Sequence, residues 1–221
     1  MRRFSLFLSL VVALGLSACA HQEPSRQEKF LAAAPRSILV VPVVNKSIDV
    51  TAADYMLSAA SVPLAEHGFY VFPVNLVKRM LEDDGLSDSS LVHSSSTTKL
   101  AALFGADAVL YITIERWDAK YAVTSTTLTV GASYEIRDAK TNSVIWENKA
   151  QAVHQSNGGG GGGGGGVAGL LAGLVVKAVS AAVTKAAPDY MPLARQVSYQ
   201  ALHPYPGNGI PSGPYAPVAK N

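Results

Sequence analysis

The sequence predicts an α/β fold, a mixed β-sheet with packed helices, and three patterns lead to this prediction. Residues 38–44 and 106–114 are continuous apolar runs rich in β-branched side chains, which is typical of strands buried on both faces of a parallel or mixed sheet. Helical patterns lie between them, so the chain starts in β-α-β-α order. Residues 121–136 and 144–153 alternate between apolar and polar side chains, which predicts an antiparallel meander at the end.

The first helix is predicted over residues 51–67, where apolar and small side chains recur at roughly helical spacing. Thr51 is a suitable residue to start it and Gly68 a suitable residue to follow its end. Pro63 lies inside this span, and a proline within a helix removes a hydrogen bond and crowds the preceding turn. We therefore expect a kink or a break near Pro63.

The remaining elements up to the meander follow in order. Residues 69–72 predict a short strand and residues 74–82 a helix. An acidic and then serine-rich stretch over residues 83–96 predicts a surface loop. Residues 97–104 predict a further helix, which Gly105 would end in the left-handed conformation.

A strong turn sequence joins the two strands of the meander. Residues 138–143 read Asp-Ala-Lys-Thr-Asn-Ser, and these residue types favour tight turns because their side chains bond to nearby backbone groups. The helix predicted over residues 190–202 completes an α/β domain that spans residues 36–202.

Three further segments have unusual composition. Residues 158–166 are nine consecutive glycines, which predict a flexible linker or an unusual loop. Residues 167–187 are mostly apolar and predict a helix. Residues 203–221 hold five of the chain's 12 prolines, so they predict a disordered tail rich in proline and glycine.

The chain begins with features of an export signal. Arg2 and Arg3 are basic, and residues 4–14 form an apolar stretch too short to span a bilayer. The tetrapeptide Leu-Ser-Ala-Cys that ends at Cys19 resembles the lipobox of bacterial lipoproteins. That resemblance implies cleavage after residue 18 and acylation of Cys19 with three chains, which would anchor the protein stably in a membrane.

The residues around Cys19 suggest where the protein resides. Cys19 is the only cysteine of the chain, so no internal disulfide can form in an oxidising compartment. By resemblance to lipoprotein sorting signals, Ala20 favours the outer membrane over retention in the inner membrane, with surface exposure left open. Residues 19–35 are predicted to be a lipidated tether with a reach of about 55 Å when fully extended.

The charge balance argues against nucleic acid as a partner. The formal net charge is +2, from 18 basic and 16 acidic residues, and removal of Arg2 and Arg3 with the signal would leave a neutral chain. Nucleic-acid binding needs a clustered basic surface, and the sequence contains no basic run.

Three stretches together resemble a known periplasmic domain. They are residues 38–42 (Ile-Leu-Val-Val-Pro), residues 104–110 (Phe-Gly-Ala-Asp-Ala-Val-Leu) and residues 134–147, which contain the turn sequence. This pattern is similar to the TolB N-terminal domain, to the curli-secretion channel lipoprotein and to the lipoprotein activators of peptidoglycan synthases.

With the lipobox and the glycine run, the chain resembles more closely a family of uncharacterised proteobacterial outer-membrane lipoproteins, one neisserial member of which is a surface-antigen candidate. The resemblance covers about residues 1–202 and contains no catalytic signature, so it informs the fold better than the function. It implies a role in an envelope assembly, with a curli-channel-like lipoprotein as the expected partner.

The glycine-rich region is the first candidate site. A phosphate-binding loop requires a lysine and a hydroxyl residue directly after the glycines, whereas Val167 follows here, so nucleotide binding is not expected. Gly165, Gly169 and Gly173 instead lie four residues apart and would share one helix face. That face could serve self-association or membrane contact, or it could pack on the domain's own sheet. A transmembrane helix is disfavoured because a lysine costs about 2.5–3.5 kcal/mol at mid-membrane and this segment contains two.

Other candidate groups are interpreted as structural. The acidic residues 82–84 and 88 lack the ligand spacing of a calcium loop, and the histidines are scattered, so no metal site is expected. His93 and Ser94 are neighbours, but proximity in sequence does not make a catalytic triad. Trp117 and Trp146 could anchor a partner or a glycan, although core packing is the commoner role of such residues.

The leading hypothesis is therefore a lipid-anchored, non-enzymatic binding or scaffold protein of the periplasmic face of the outer membrane, without a cofactor. Activation of peptidoglycan synthesis is the alternative, and the short tether counts against it. A hydrolase is retained as a third class, because scattered serine, histidine and aspartate residues can meet in a fold.

Overall fold

The computed structural model describes residues 24–121, 125–157, 188–203 and 209–217, and all structural statements concern these residues. Their elements, in chain order, are α1 (Arg26–Ala33), β1 (Ser37–Val40), β2 (Val44–Asn45), α2 (Ala52–Glu66), β3 (Tyr70–Val71), α3 (Val74–Asp83), α4 (Ser89–Ser94), α5 (Thr97–Phe104), β4 (Ala108–Tyr121), β5 (Ser125–Asp138), β6 (Val144–Asn157) and α6 (Met191–Leu202).

The six strands form one mixed sheet, as the sequence predicts. The order is β3-β1-β4-β5-β6, and β2 pairs with β4 farther along. Strand β1 is parallel to β3 and β4, and β2 is parallel to β4, whereas β4, β5 and β6 form an antiparallel meander. We call the end where β1 and β4 begin the near end of the sheet, and the end where β4 finishes the far end.

The long strands extend beyond the predicted bounds. β4 was expected to end at Ile114, yet it continues to Tyr121, and the register shifts between Ile114 and Arg116 as at a β-bulge. The apolar run ends close to where the second layer of helices ends, because Tyr111 is the last residue of β4 in the core under α3, α4 and α5. Beyond it, pairing with β5 maintains the strand without a second covering layer.

Helices α2 and α6 cover one face of the sheet and form the larger core. The two helices contact each other, and α6 also contacts β5 and β6. Tyr134 of β5 reaches this layer, where its hydroxyl lies 3.1 Å from the hydroxyl of Ser198 on α6. The expected break at Pro63 does not occur, since α2 continues to Glu66 with Pro63 buried. Pro63 lies in the last turn of α2, where its buried ring contributes to packing.

Helices α3, α4 and α5 cover the other face over only part of its area. Their core contains Leu39 of β1 and Val109 and Tyr111 of β4, packed against side chains such as Leu81 and Leu100. The predicted loop over residues 83–96 therefore includes a short helix, α4. Gly105 follows α5 with φ of 72° and ends it as predicted.

The predicted tether is partly wrong, because α1 occupies its second half. Ser25 and Glu28 form a capping box at the start of α1, which satisfies backbone N–H groups at that helix end. Phe30 is 2% exposed and meets Phe69 edge to face, with ring centroids 5.8 Å apart. One aromatic anchor in a polar helix gives too weak a periodicity to be recognised in the sequence.

The predicted disordered tail is also wrong for residues 209–217, which we call the C-terminal segment. Ile210 is buried, the backbone N–H of Gly213 donates to the carbonyl of His67 at 2.7 Å, and that of Tyr215 donates to Gly68 at 3.0 Å. Proline-rich composition predicts only the lack of regular structure. It does not exclude an ordered, extended segment fixed by backbone hydrogen bonds.

The histidine beside this segment predicts a pH dependence of stability. Burial lowers the pKa of His67, and the neighbouring His203 ring adds to the shift while Glu66 opposes it. The folded state therefore favours neutral His67, and as pH falls below about 6.5 the unfolded chain takes up the proton more readily. We expect the urea midpoint to decrease over this range. The urea midpoint should decrease less in His67→Gln than in the wild-type protein. If it decreases equally with pH in both proteins, His67 is not the group responsible.

None of the described helices is both long and apolar enough to cross a membrane. The predicted glycine loop over residues 158–166 and the predicted apolar helix over residues 167–187 lie outside the described residues.

Candidate functional site

Part of one sheet face has none of the described helices over it, and we call this surface the open face. It lies on β4, β5 and β6, beyond the area that α3, α4 and α5 cover. In an antiparallel sheet such a face can meet water, because side chains alternate between the core and the solvent. Its members are Thr113, Glu115, Ser133, Glu135, Arg137, Glu147, Lys149, Gln151 and Val153.

A cleft of about 660 Å³ lies where the open face meets α4 and the start of α1. It is lined by Arg26, His93, Tyr111, Thr113, Ser133, Tyr134, Glu135, Arg137, Glu147, Asn148 and Lys149. These residues come from five different elements, so the cleft exists only in the folded domain.

Two aromatic rings and a guanidinium form one wall of the cleft. His93 Nε2 lies 3.0 Å from the carbonyl oxygen of Pro42, and because a carbonyl only accepts, Nε2 carries the proton and donates. The His93 ring meets Tyr111 edge to face at 5.1 Å, and the Arg137 guanidinium lies 5.2 Å from the centre of the Tyr111 ring. Arg137 is thus held by a cation–π contact.

Burial keeps this wall uncharged at neutral pH apart from Arg137. Loss of water around the ring lowers the pKa of His93 and raises the pKa of Tyr111, because burial disfavours the charged form of each group. The Tyr111 hydroxyl lies 2.9 Å from that of Thr97. The wall therefore offers hydrogen-bonding groups beside a single cation.

Most charges on the open face are matched within the protein. Arg137 pairs with Glu135, and Lys46 pairs with Glu115 at 2.9 Å. The hydrogen bond from Lys46 is the main reason that the pKa of Glu115 is lowered. Exposed pairs of this kind contribute about 0–1 kcal/mol each. The face is consequently an array of alternating charges, which suits a complementary protein surface better than a small ion.

The first half of α1 borders the cleft. Arg26 donates from Nη1 to the carbonyl oxygen of Glu147 at 2.8 Å, and its Nη2 lies 3.8 Å from the Glu147 carboxylate. The start of α1 is therefore fixed to the outer edge of β6.

The candidate residues of the sequence have mostly structural roles. Trp146 and Trp117 are buried at 1% and 4% exposure, and Trp117 stacks between Tyr55 and Tyr190 with ring centroids 6.1 and 4.8 Å apart. Core packing, the commoner role, is what the structure shows for both tryptophans. Cys19 and the glycine stripe at 165, 169 and 173 lie outside the described residues, so they stay predictions.

The neighbours His93 and Ser94 do not act on each other. The Ser94 hydroxyl donates to the carbonyl of Leu91 at 2.9 Å, while His93 Nε2 faces Pro42. In the acidic group, Asp88 caps α4 by accepting from Ser90 N–H, and Asp83 pairs with Arg79 at 3.4 Å. Within the described parts of the chain, no three His, Cys, Asp or Glu side chains are grouped as a metal site requires.

A hydrogen-bonded loop at the far end displays two apolar side chains. Ile48 and Val50 are 101% and 87% exposed. Between them, Asp49 accepts from Thr51 N–H at 2.9 Å and from Trp117 Nε1 at 3.2 Å, so the loop is tied to β4.

Sequence reasoning missed the cleft. The signal available was the charge of Glu135 and Arg137 inside an otherwise apolar alternation, which marks a face of β5 that meets water. The partners of these residues on other elements could not be read from the sequence.

Comparison with known proteins places the chain in a family. The family model described as "Putative lipoprotein GNA1162-like" matches residues 27–215. The chain belongs to this GNA1162-like family. This agrees with the resemblance seen in the sequence, and the match begins inside α1 and ends inside the C-terminal segment.

One relative and two solved structures are similar to this GNA1162-like chain over most of their own length. "Putative lipoprotein NMB1124/NMB1162" of Neisseria meningitidis serogroup B is 33% identical over 211 residues, or 95% of each chain. The crystal structure of lipoprotein GNA1162 from Neisseria meningitidis has a TM-score of 0.55 at 34% identity, over 66% of this chain and 99% of that one. A PelC L103M dodecamer from Paraburkholderia phytofirmans has a TM-score of 0.40 at 19% identity, over 65% of this chain and 86% of that one, and nothing further follows from a similarity of this extent.

Proposed function

We propose that this GNA1162-like protein is anchored to the periplasmic face of the outer membrane through acylated Cys19 and acts there as a non-enzymatic scaffold in an envelope assembly. The open face carries the proposal. A scaffold needs a preformed surface for a partner, and this face is polar and is bordered by a cleft whose residues come from elements far apart in sequence.

The anchor is supported by the family and by the N-terminal sequence. The relatives are described as lipoproteins, and Cys19 ends a stretch that resembles a lipobox. Ala20 favours the outer membrane under the sorting rule that the resemblance implies.

The open face has the chemistry of a protein-binding surface. Lys149, Gln151 and Val153 point outward from β6 and are exposed, and they lie beside the cleft. Among the described strands β6 lies at the edge of the sheet, and none of them pairs with the outer backbone groups of its second half, which leaves these groups to pair with a partner strand. Among partners, the resemblance favours a curli-channel-like lipoprotein.

Activation of peptidoglycan synthesis remains the second candidate, but the structure does not strengthen it. Such an activator must reach across the cell wall, and α1 removes the second half of the tether. Only residues 19–25 precede α1, and they span at most about 25 Å.

Affinity purification from detergent-solubilised envelopes tests the scaffold proposal. The wild-type protein is expected to retain a defined partner. The double variant Lys149→Glu/Val153→Glu should lose it, because the first change reverses a positive charge on the open face and the second adds a negative charge there. The matched control is Lys99→Glu/Leu103→Glu on α5, which changes the same kinds of exposed side chains four residues apart.

The two variants make the result specific to the open face. Loss in the β6 variant with retention in the α5 variant supports the proposal. Equal retention in both would show that the partner binds elsewhere, and absence of any partner on the wild-type protein would overturn the scaffold role.

A further inference from the structure

We infer that the near end of the sheet lies against the lipid surface, so that the far end points away from the membrane. This orientation rests on the proposed acylation of Cys19. It follows from where α1 begins, how few residues precede it and which side chains surround that point.

The chain leaves the domain at a fixed place. The capping box of Ser25 and Glu28 holds the first turn of α1, and Arg26 is bonded to Glu147. In the register of the sheet, Glu147 of β6 lies opposite Glu135 of β5, and Glu135 lies opposite Tyr111 of β4. The start of α1 is therefore level with the first third of β4, at the near end beside β6.

The segment between Cys19 and the domain is short. Pro24, the first described residue, is five residues from Cys19, and five residues span at most about 17 Å. The acyl chains therefore hold the start of α1 close to the headgroups.

The far end of the sheet lies farther from Cys19 than the near end does. Its exposed loop is bonded to Trp117, six residues along β4 from Tyr111, and six residues of strand extend about 20 Å. A membrane contact through Ile48 and Val50 would require a nearly extended segment laid along the domain. The near end needs no such stretching, so it is favoured by chain entropy.

The side chains at the near end suit an interface with lipid headgroups. Leu31 on α1 and Val144 at the start of β6 are exposed apolar residues. Arg36 and Lys140 are exposed cations, which anionic headgroups attract.

Two tyrosines at the near end are exposed in the same way. Tyr70 and Tyr215, which are 53% and 59% exposed, line a shallow pocket with Arg36. Tyrosine is typical of membrane interfaces because its ring is apolar and its hydroxyl is hydrated.

The orientation is tested by attaching a single fluorescent label to the full lipidated chain and measuring how strongly spin-labelled lipid quenches its fluorescence. Acylated Cys19 has no free thiol, so Leu31→Cys, Asn142→Cys, Gln151→Cys and Ile48→Cys each offer one labelling site. The labelled proteins are reconstituted in vesicles of phosphatidylethanolamine and phosphatidylglycerol that contain a headgroup spin label. We expect strong quenching at positions 31 and 142 of the near end, and little at Ile48→Cys of the far end or Gln151→Cys of the open face.

Each result bears on one of the two proposals. Quenching at position 48 or 151 that equals that at 142 overturns the orientation, and flotation of the same protein with the vesicles shows that the anchor still holds. If the wild-type chain carries no lipid by mass spectrometry and does not float, the proposed anchor fails and the orientation fails with it.

Discussion

Replacement of Cys19 by alanine is expected to abolish lipid attachment completely. The thiol is the only group in the chain that could form the thioether, because Cys19 is the only cysteine. Without its acyl chains the protein loses a membrane affinity of about 0.8 kcal/mol for each buried methylene group. Labelling of cells with radioactive palmitate should give no labelled protein, and unprocessed precursor should accumulate.

A neighbouring substitution controls for general effects on export. His21→Ala lies outside the tetrapeptide that resembles a lipobox, so it should be labelled and processed like the wild-type protein. Palmitate labelling of Cys19→Ala at the wild-type level would refute both the anchor and the orientation inferred from it.

Replacement of Gly68 by alanine is expected to destabilise the fold by about 2–5 kcal/mol. Gly68 has φ of 81°, and this conformation costs about 1–2 kcal/mol for a residue with a side chain. A Cβ at this position would also overlap the backbone of Tyr215 and Ala216, and overpacking typically costs about 1–3 kcal/mol. The C-terminal segment would have to move or detach.

Gly85→Ala is the matched control, because Gly85 has nearly the same positive φ as Gly68 but different neighbouring atoms. Gly85 has φ of 83°, and no atom of the described residues lies within 4 Å of a Cβ built there. It should therefore show only the conformational cost, about 1–2 kcal/mol. Urea unfolding measures both values, and hydrogen exchange over residues 209–217 shows whether the segment detaches. Equal destabilisation by the two variants would mean that the C-terminal segment does not press on Gly68.

The parts of the fold predicted from the sequence are those with a strong local signal. The runs at 38–44 and 106–114 are apolar on both faces because β1 and the start of β4 lie between two layers of helices. The turn at 138–143 is predictable because Asp138 and its neighbours form hydrogen bonds to one another within it, as in the 2.7 Å contact from Thr141 N–H to the Asp138 carboxylate.

The parts that were not predicted depend on contacts distant in sequence. α1 is positioned by Phe30 on Phe69, and the C-terminal segment by backbone bonds to His67 and Gly68. Neither contact leaves a periodic pattern. The cleft could not be predicted for the same reason, since Arg137 and Tyr111 face each other only after β5 has paired with β4.

The position of α6 and the C-terminal segment in the fold constrains when folding can be completed. α6 supplies Ala194, Val197 and Ala201 to the larger core, and the C-terminal segment closes on the turn after α2. A ribosome adds residues in chain order, so the sheet's larger apolar face stays exposed until α6 and the C-terminal segment, which follow all six strands, have been synthesised. Such non-local contacts slow folding, and exposed apolar surface invites aggregation. During synthesis and export the nascent chain should therefore depend on chaperones that cover this face.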